Sequence, residues 1–230
     1  MRIILPILAY SIYAAFWCRI IFHALVWYRA AGRLLTNPSP VSAPASGVSL
    51  SVYAEAATDI VFFRRLFDTN RLLWVGSWTF HFSFLFVLLR HLIYFMNPVP
   101  GCISALQPLG VYAGYVLPLS LLSILVIRVA GREKYVSWPN FLIFGLVFLI
   151  GITGLLMHVF RPDLVDVKGF IMGILTFRPE LVPHSFLFFS HFLLVLLLAP
   201  YLPFHIFASP IIILEARQRQ EGLKMVLHEK

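Results

Sequence analysis

Five long apolar runs dominate this chain, and each has the length needed to cross ~30 Å of hydrocarbon. They cover residues 3–28, 72–95, 108–130, 139–160 and 185–209. A backbone inside lipid has no water to bond, so each run must close its own hydrogen bonds as a helix. The expectation is an all-α membrane protein, a five-transmembrane-helix bundle. Composition agrees: 60% of residues are hydrophobic and 12% charged, about half the charged share of a soluble domain. The first run is too long for a signal-peptide core and no small-residue cleavage site follows it, so it reads as a retained helix.

The positive charges are distributed as topology signals. Arg29, Arg33, Arg64, Arg65 and Arg71 follow run one, Arg128, Arg132 and Lys134 follow run three, and Arg217, Arg219, Lys224 and Lys230 lie in the tail. The opposite side carries only Arg2, Arg161, Lys168 and Arg178. The positive-inside rule then puts the N-terminus outside and the C-terminus in the cytoplasm. The net charge of +8 is spread between spans, so no nucleic-acid partner is expected. Trp27, Trp74 and Trp138 mark span ends, as an interfacial belt requires. Cys18 and Cys102 form no disulfide framework, and the chain has no C-x-x-C-H haem-attachment motif.

Residues 36–71 read as a cytoplasmic linker and amphipathic helix. The linker is TNPSPVSAPASGVS, and residues 50–69 alternate apolar and polar at helical spacing. Interfacial anchoring and partner docking both fit that helix. Residues 168–177, KGFIMGILTF, are too short to span and are expected to lie at the interface or dip into it.

The histidines carry the chemistry. Seven of the eight lie within or at the ends of apolar segments, where polar groups are expensive and usually functional. His81 and His91 in span two are ten residues apart, or ~15 Å along the axis; His191 and His205 in span five are fourteen apart, or ~21 Å. The two spans run in opposite directions, so His81 matches the depth of His205 and His91 that of His191. Two cross-helix pairs at two depths are what two six-coordinate haems need, one axial imidazole coming from each helix. Each of the four histidines is thus a candidate haem-iron ligand. A ten-residue step misses the starting face by ~80° on an ideal helix, so span two must twist or the haems must be offset. Pro200 and Pro203 should bend span five before His205. His184 competes within span five, but pairs with His191 at only ~10 Å and with His205 at ~31 Å.

Other candidates surround these four. Arg90 and Arg19 lie within spans, where a buried cation needs an anion; haem propionates would serve. Snorkelling is the competing reading for Arg90, and a quinone site for Arg19. His23, one turn from Arg19, reads as a packing residue. Gly145, Gly151 and Gly154 permit close approach of a helix or a macrocycle. A quinone site needs a proton acceptor; His158 is the first choice, with Asp163, Asp166, Lys168 and His184 on the same side.

The segments WTFHFSFLFVLLRHLIYF (Trp78–Phe95), HFLLVLLLAPYLPFHIF (His191–Phe207) and DLVDVKGFIMGILTF before the last span resemble the di-haem cytochrome b family of the respiratory nitrate reductase gamma subunit. The chain looks closer still to the membrane subunits of heterodisulfide-reductase-like and dissimilatory-sulfite-reduction (Dsr) complexes. The resemblance covers nearly the whole chain, as a single di-haem domain over residues 1–230. It implies two haem b groups on His81, His91, His191 and His205, menaquinol or another quinone oxidised near the outer haem, and electrons passed inward to a cytoplasmic iron–sulfur subunit. It also implies a prokaryotic cytoplasmic membrane, further membrane subunits and a periplasmic cytochrome c. The fourteen-residue spacing in the last span is shorter than in nitrate reductase subunits, which favours the Dsr-like branch. The alternative function is a proton or ion transporter using membrane histidines as relays. It predicts acidic residues in mid-span, and all five cores lack Asp and Glu. An intramembrane metalloprotease is discounted because no H-E-x-x-H occurs.

Overall fold

The apolar runs become helices in the computed structural model, which describes residues 4–36, 50–131, 138–160, 167–179, 183–203, 210–217 and 220. The order is α1 (Ile4–Thr36), α2 (Leu50–Phe62), α3 (Arg64–Thr69), α4 (Arg71–His91) continued by a 3₁₀ turn (Leu92–Tyr94), α5 (Gly101–Ala105), α6 (Gln107–Ala130), α7 (Trp138–Phe160), α8 (Val167–Leu175), α9 (Phe186–Leu198) continued by a 3₁₀ turn (Ala199–Tyr201), and α10 (210–217). The described residues contain no strand. Four helical stretches are long and apolar enough to cross a membrane: Ile4–Arg29, Arg71–Tyr94, Gln107–Ala130 and Phe141–Phe160. This is a multi-pass membrane protein. The fifth expected span is represented by the shorter apolar helix Phe186–Tyr201, and residues 204–209 of that span lie outside the described set. The first helix is longer than expected, since α1 continues beyond residue 28 to Thr36. The rest of the expected linker, 37–49, is outside the described residues.

Local chemistry sets the helix ends. The Asn70 side chain accepts the Leu73 N–H at 3.0 Å, capping α4. Ser185 does the same for α9 through the Phe188 N–H at 3.3 Å. Each cap satisfies a donor that the first turn otherwise leaves orphaned.

The chain divides into two compact units. The first comprises Met1–Tyr13 and Asn70–Ala199. In it α4 packs along α6, α6 against α7, and α7 along α9. Small residues bring the helices together. A Cβ on Gly76 would sit 3.0 Å from Ile124 Cγ1, and one on Gly110 would sit 2.5 Å from Arg90 Cβ. Gly76 meeting residue 124 and Gly110 meeting residue 90 makes α4 and α6 antiparallel. A Cβ on Gly151 would likewise lie 3.0 Å from Leu117 Cδ2, joining α7 to α6. Of the three span-four glycines, Gly151 thus serves helix packing, whereas Gly145 has open space around it.

One end of this unit is closed by α8. Its buried Val167 and Phe170 join Leu5 and Phe188 in a core, flanked by Tyr94, Met157, Ile171, Ile174, Phe189 and Phe192. Residues 167, 170, 171 and 174 form one helical face. Phe170 is fully buried and sits edge-on to Phe188 and Phe192 at 5.8 and 5.5 Å. Segment 168–177 therefore packs as a cap on this unit. The start of α1 fastens its far end: Tyr10 Oη donates to the Ile174 carbonyl at 3.0 Å, and the Tyr10 ring stacks on Phe177 at 5.3 Å.

The second unit comprises Ala14–Thr69 and Pro200–Lys230. Its α2 buries Val52, Ala56 and Asp59, and the expected helix over 50–69 is broken at Phe63, whose φ is 51°. Asp59 is an ionised group on a buried face, and Arg217 of α10 compensates it. Arg217 Nη2 donates to Asp59 Oδ1 at 2.8 Å, its Nε donates to Oδ2, and its Nη1 reaches Glu55 at 2.9 Å. Arg65 adds a bond to Asp59 Oδ2 at 3.0 Å. The fork geometry suits a carboxylate. The α2 face thus docks the chain's own α10.

Two outcomes follow. Gly110→Ala should force α4 away from α6, because the contact is with the stiff base of Arg90; overpacking of this kind costs about 1–3 kcal/mol, and a lower thermal midpoint in detergent would register it. The Arg217 hydrogen bonds hold the Asp59 carboxyl below its ordinary 3.8. A depressed carboxylate stabilises the fold at neutral pH and loses that contribution as pH falls below about 4. A spin label at Ile212→Cys, in a chain with Cys18→Ser and Cys102→Ser, should be immobilised at pH 7 and loosen below that window. Asp59→Asn should loosen it already at pH 7.

Candidate functional site

A neutral imidazole carries one N–H and one lone pair, and which nitrogen bears which is set by the hydrogen bonds around it. Three membrane histidines of the first unit are set the same way. His81 Nδ1 lies 2.7 Å from the Ser77 carbonyl and His91 Nδ1 lies 2.7 Å from the Val87 carbonyl. A carbonyl can only accept, so Nδ1 is the donor and the lone pair resides on Nε2. In both cases the partner is the carbonyl four residues back on the same helix, whose position the helix itself fixes.

His191 reaches the same state by another route. Its Nδ1 lies 3.0 Å from Thr153 Oγ1 on α7. That hydroxyl spends its proton on α7's own backbone, at 2.8 Å from the Leu149 carbonyl and 3.1 Å from that of Ile150. The oxygen is left as an acceptor, so His191 Nδ1–H donates and Nε2 again holds the lone pair. Next to Thr153, Gly154 makes room: a Cβ there would lie 3.2 Å from His191 Cε1.

The structure brings His91 and His191 together. Their ring centroids are 6.1 Å apart and their planes differ by 10°. The backbones around them belong to different packing pairs, α4 with α6 and α9 with α7. The two imidazoles face each other at the end capped by α8, beside Tyr94, whose ring centroid is 6.1 Å from that of His91.

The remaining candidates are placed as follows. His81 is exposed on α4 and its ring is edge-on to Phe80 at 4.8 Å. His205 lies outside the described residues, as do Asp163 and Asp166. His184 is exposed. Arg90 lays its aliphatic stem against Gly110 of α6, and Gln107 Nε2 donates to its carbonyl at 3.2 Å. Arg19, in the second unit, holds its guanidinium 5.9 Å from the Tyr201 ring centroid, a cation–π arrangement. The His23 ring lies 5.8 Å from that of Phe22 and 5.9 Å from that of Trp27. His158 is half-buried at the α8 end, edge-on to Tyr115 of α6 at 6.1 Å. Lys168 is half-buried on α8, between the core-facing Val167 and Phe170.

Thr153, Tyr94 and Tyr115 are neighbours that sequence reasoning did not single out. A hydroxyl in a spanning helix ordinarily bonds its own backbone, so spacing alone gives Thr153 no signal. Among the described residues no group of three or more His, Cys, Asp or Glu side chains is arranged to hold a bare metal ion. The described residues bring one pair of imidazoles together, His91 with His191.

Removing the space at Gly154 should disturb His191 without touching its partners. Gly154→Leu is expected to displace the ring and lower thermal stability in detergent, while Gly145→Leu, facing open space, should be nearly neutral; paired melting curves make the comparison.

Two curated proteins are similar to this chain. The Hdr-like menaquinol oxidoreductase cytochrome b-like subunit of Archaeoglobus profundus is 33% identical over 153 residues, covering 59% of this chain and 46% of its own length. The protein of the same description from Archaeoglobus fulgidus is 31% identical over 180 residues, covering 64% and 53%. The chain spans about half the length of the curated relatives it matches. No family model matches it, and no solved structure matches it.

Proposed function

We propose that this chain is the membrane cytochrome b subunit of a quinol-oxidising complex of the heterodisulfide-reductase-like type, with menaquinol as the electron donor. The observation that carries the reading is the His91–His191 pair. Two imidazoles that shared one metal atom through nitrogens about 2.0 Å from it would hold their ring centroids roughly 6 Å apart. The observed 6.1 Å, with near-parallel planes, is a spacing at which His91 and His191 would together hold one haem. The tautomers fit as well, since donation from Nδ1 leaves Nε2 as the ligating atom. Similarity to menaquinol oxidoreductase cytochrome b-like subunits supports the same assignment.

The finer parts of the reading are these. His91 and His191 hold one haem b, and His81 with His205 hold a second. Arg90 and Arg19 are assigned to the propionates. The spans number five, with the N-terminus and the α8 end outside a prokaryotic cytoplasmic membrane. Bound haem supplies one-electron transfer across the bilayer, between a two-electron quinol and a one-electron iron–sulfur partner. The residues of the chain do the rest. His158 takes a proton from the quinol hydroxyl at the α8 end, with Tyr115 against its ring edge, and Lys168 stabilises the developing phenolate. The α8 cap excludes water from the His91–His191 pair. The cytoplasmic partner is a heterodisulfide-reductase-like iron–sulfur subunit, and a periplasmic cytochrome c and further membrane subunits complete a Dsr-type sulfur-metabolism complex.

The purified protein should show reduced-minus-oxidised bands of b-type haem and two pyridine haemochromes per chain. His91→Ala should halve that content while leaving a membrane-inserted chain. A wild-type preparation from haem-replete cells that is colourless would end this reading.

A further inference from the structure

His191 differs from His81 and His91 in where its Nδ1 proton goes. His81 and His91 donate to backbone carbonyls of their own helix, at 2.7 Å each. Those acceptors are part of the helix and no substitution removes them. His191 donates instead towards a neighbouring helix, where Thr153 Oγ1 lies at the longer distance of 3.0 Å and the Ile150 carbonyl is a second acceptor. The threonine is held in turn by bonds to Leu149 and Ile150.

We propose that Thr153 is a positioning residue that fixes the His191 tautomer and ring orientation and thereby sets the reduction potential of the haem at the α8 end. The proposal rests on the haem reading above. An imidazole that donates from Nδ1 becomes a more basic ligand at Nε2 and favours the oxidised iron. The acceptor strength at Nδ1 is therefore a control on potential, and Thr153 places part of that control on a replaceable side chain. Gly154 completes the arrangement by leaving room for the ring. The geometry assigns α7 the task of aiming a ligand carried by α9.

Thr153→Val removes the acceptor at nearly constant volume and asks little of α7, whose carbonyls keep their helical partners. Without the acceptor, His191 is a poorer electron donor. In a redox titration of the purified protein followed at the b-haem bands, one of the two midpoints should rise, by roughly a tenfold change in the oxidised-to-reduced ratio at fixed potential, while the other stays in place. Thr153→Ser keeps the oxygen and should restore the wild-type midpoint. Selective loss of one haem from Thr153→Val, with both retained in Thr153→Ser, would also support the assignment, because misplacing a second-shell partner weakens binding by about 10–100-fold. Full haem content with both midpoints unmoved overturns the proposal and leaves the haem reading intact. Absence of haem from the wild type overturns both. If Thr153→Val does not fold, the comparison of Thr153→Ala with Thr153→Ser reads the same difference.

Discussion

The arrangement of this protein depends on where each membrane imidazole places its one proton. In hydrocarbon a polar nitrogen without a partner costs several kcal/mol, so the Nδ1–H must find an acceptor inside the protein. His81 and His91 find it one turn back on their own helix. His191 finds it on Thr153. The consequence is the same in all three: Nε2 holds the lone pair at the far end of the ring. A histidine so fixed keeps its lone pair on Nε2, the state in which an imidazole can act as a ligand.

The bundle then decides what those lone pairs meet. Glycines at 76, 110 and 151 pull α4, α6 and α7 into close contact, and α9 follows α7. The His91 and His191 rings lie between the two packing pairs, parallel and 6.1 Å apart. Phe170 of α8, wedged on Phe188 and Phe192, shields that end with apolar surface. A covered, low-dielectric pair of imidazoles is a suitable environment for an electron carrier, whose potential is tuned by burial and by hydrogen bonds to its ligands.

Much of this was legible in the sequence, for identifiable reasons. Apolar length alone located four helices able to span, because lipid leaves the backbone no other option. Counting residues along opposed helices placed His91 and His191 at one depth, and the structure brings their rings together. The cap could be suspected from its apolar run, but its packing depended on Leu5 and Tyr10 far away in the chain. The Asp59–Arg217 pair was not legible: the two residues are separated by 158 positions, and Arg217 read only as one more cytoplasmic charge. Thr153 was hidden for a subtler reason. Its hydroxyl does bond its own helix, as such residues do, and the second contact through the oxygen lone pair leaves no trace in spacing.

The central claim is that His91 and His191 bind the two faces of one macrocycle. An experimental density map of the detergent-purified protein, from cells able to make haem, tests it most directly. The account requires a flat tetrapyrrole between these rings, with both Nε2 atoms on its metal. Protein side chains or lipid filling that gap, or an iron bound by a different pair, would contradict it.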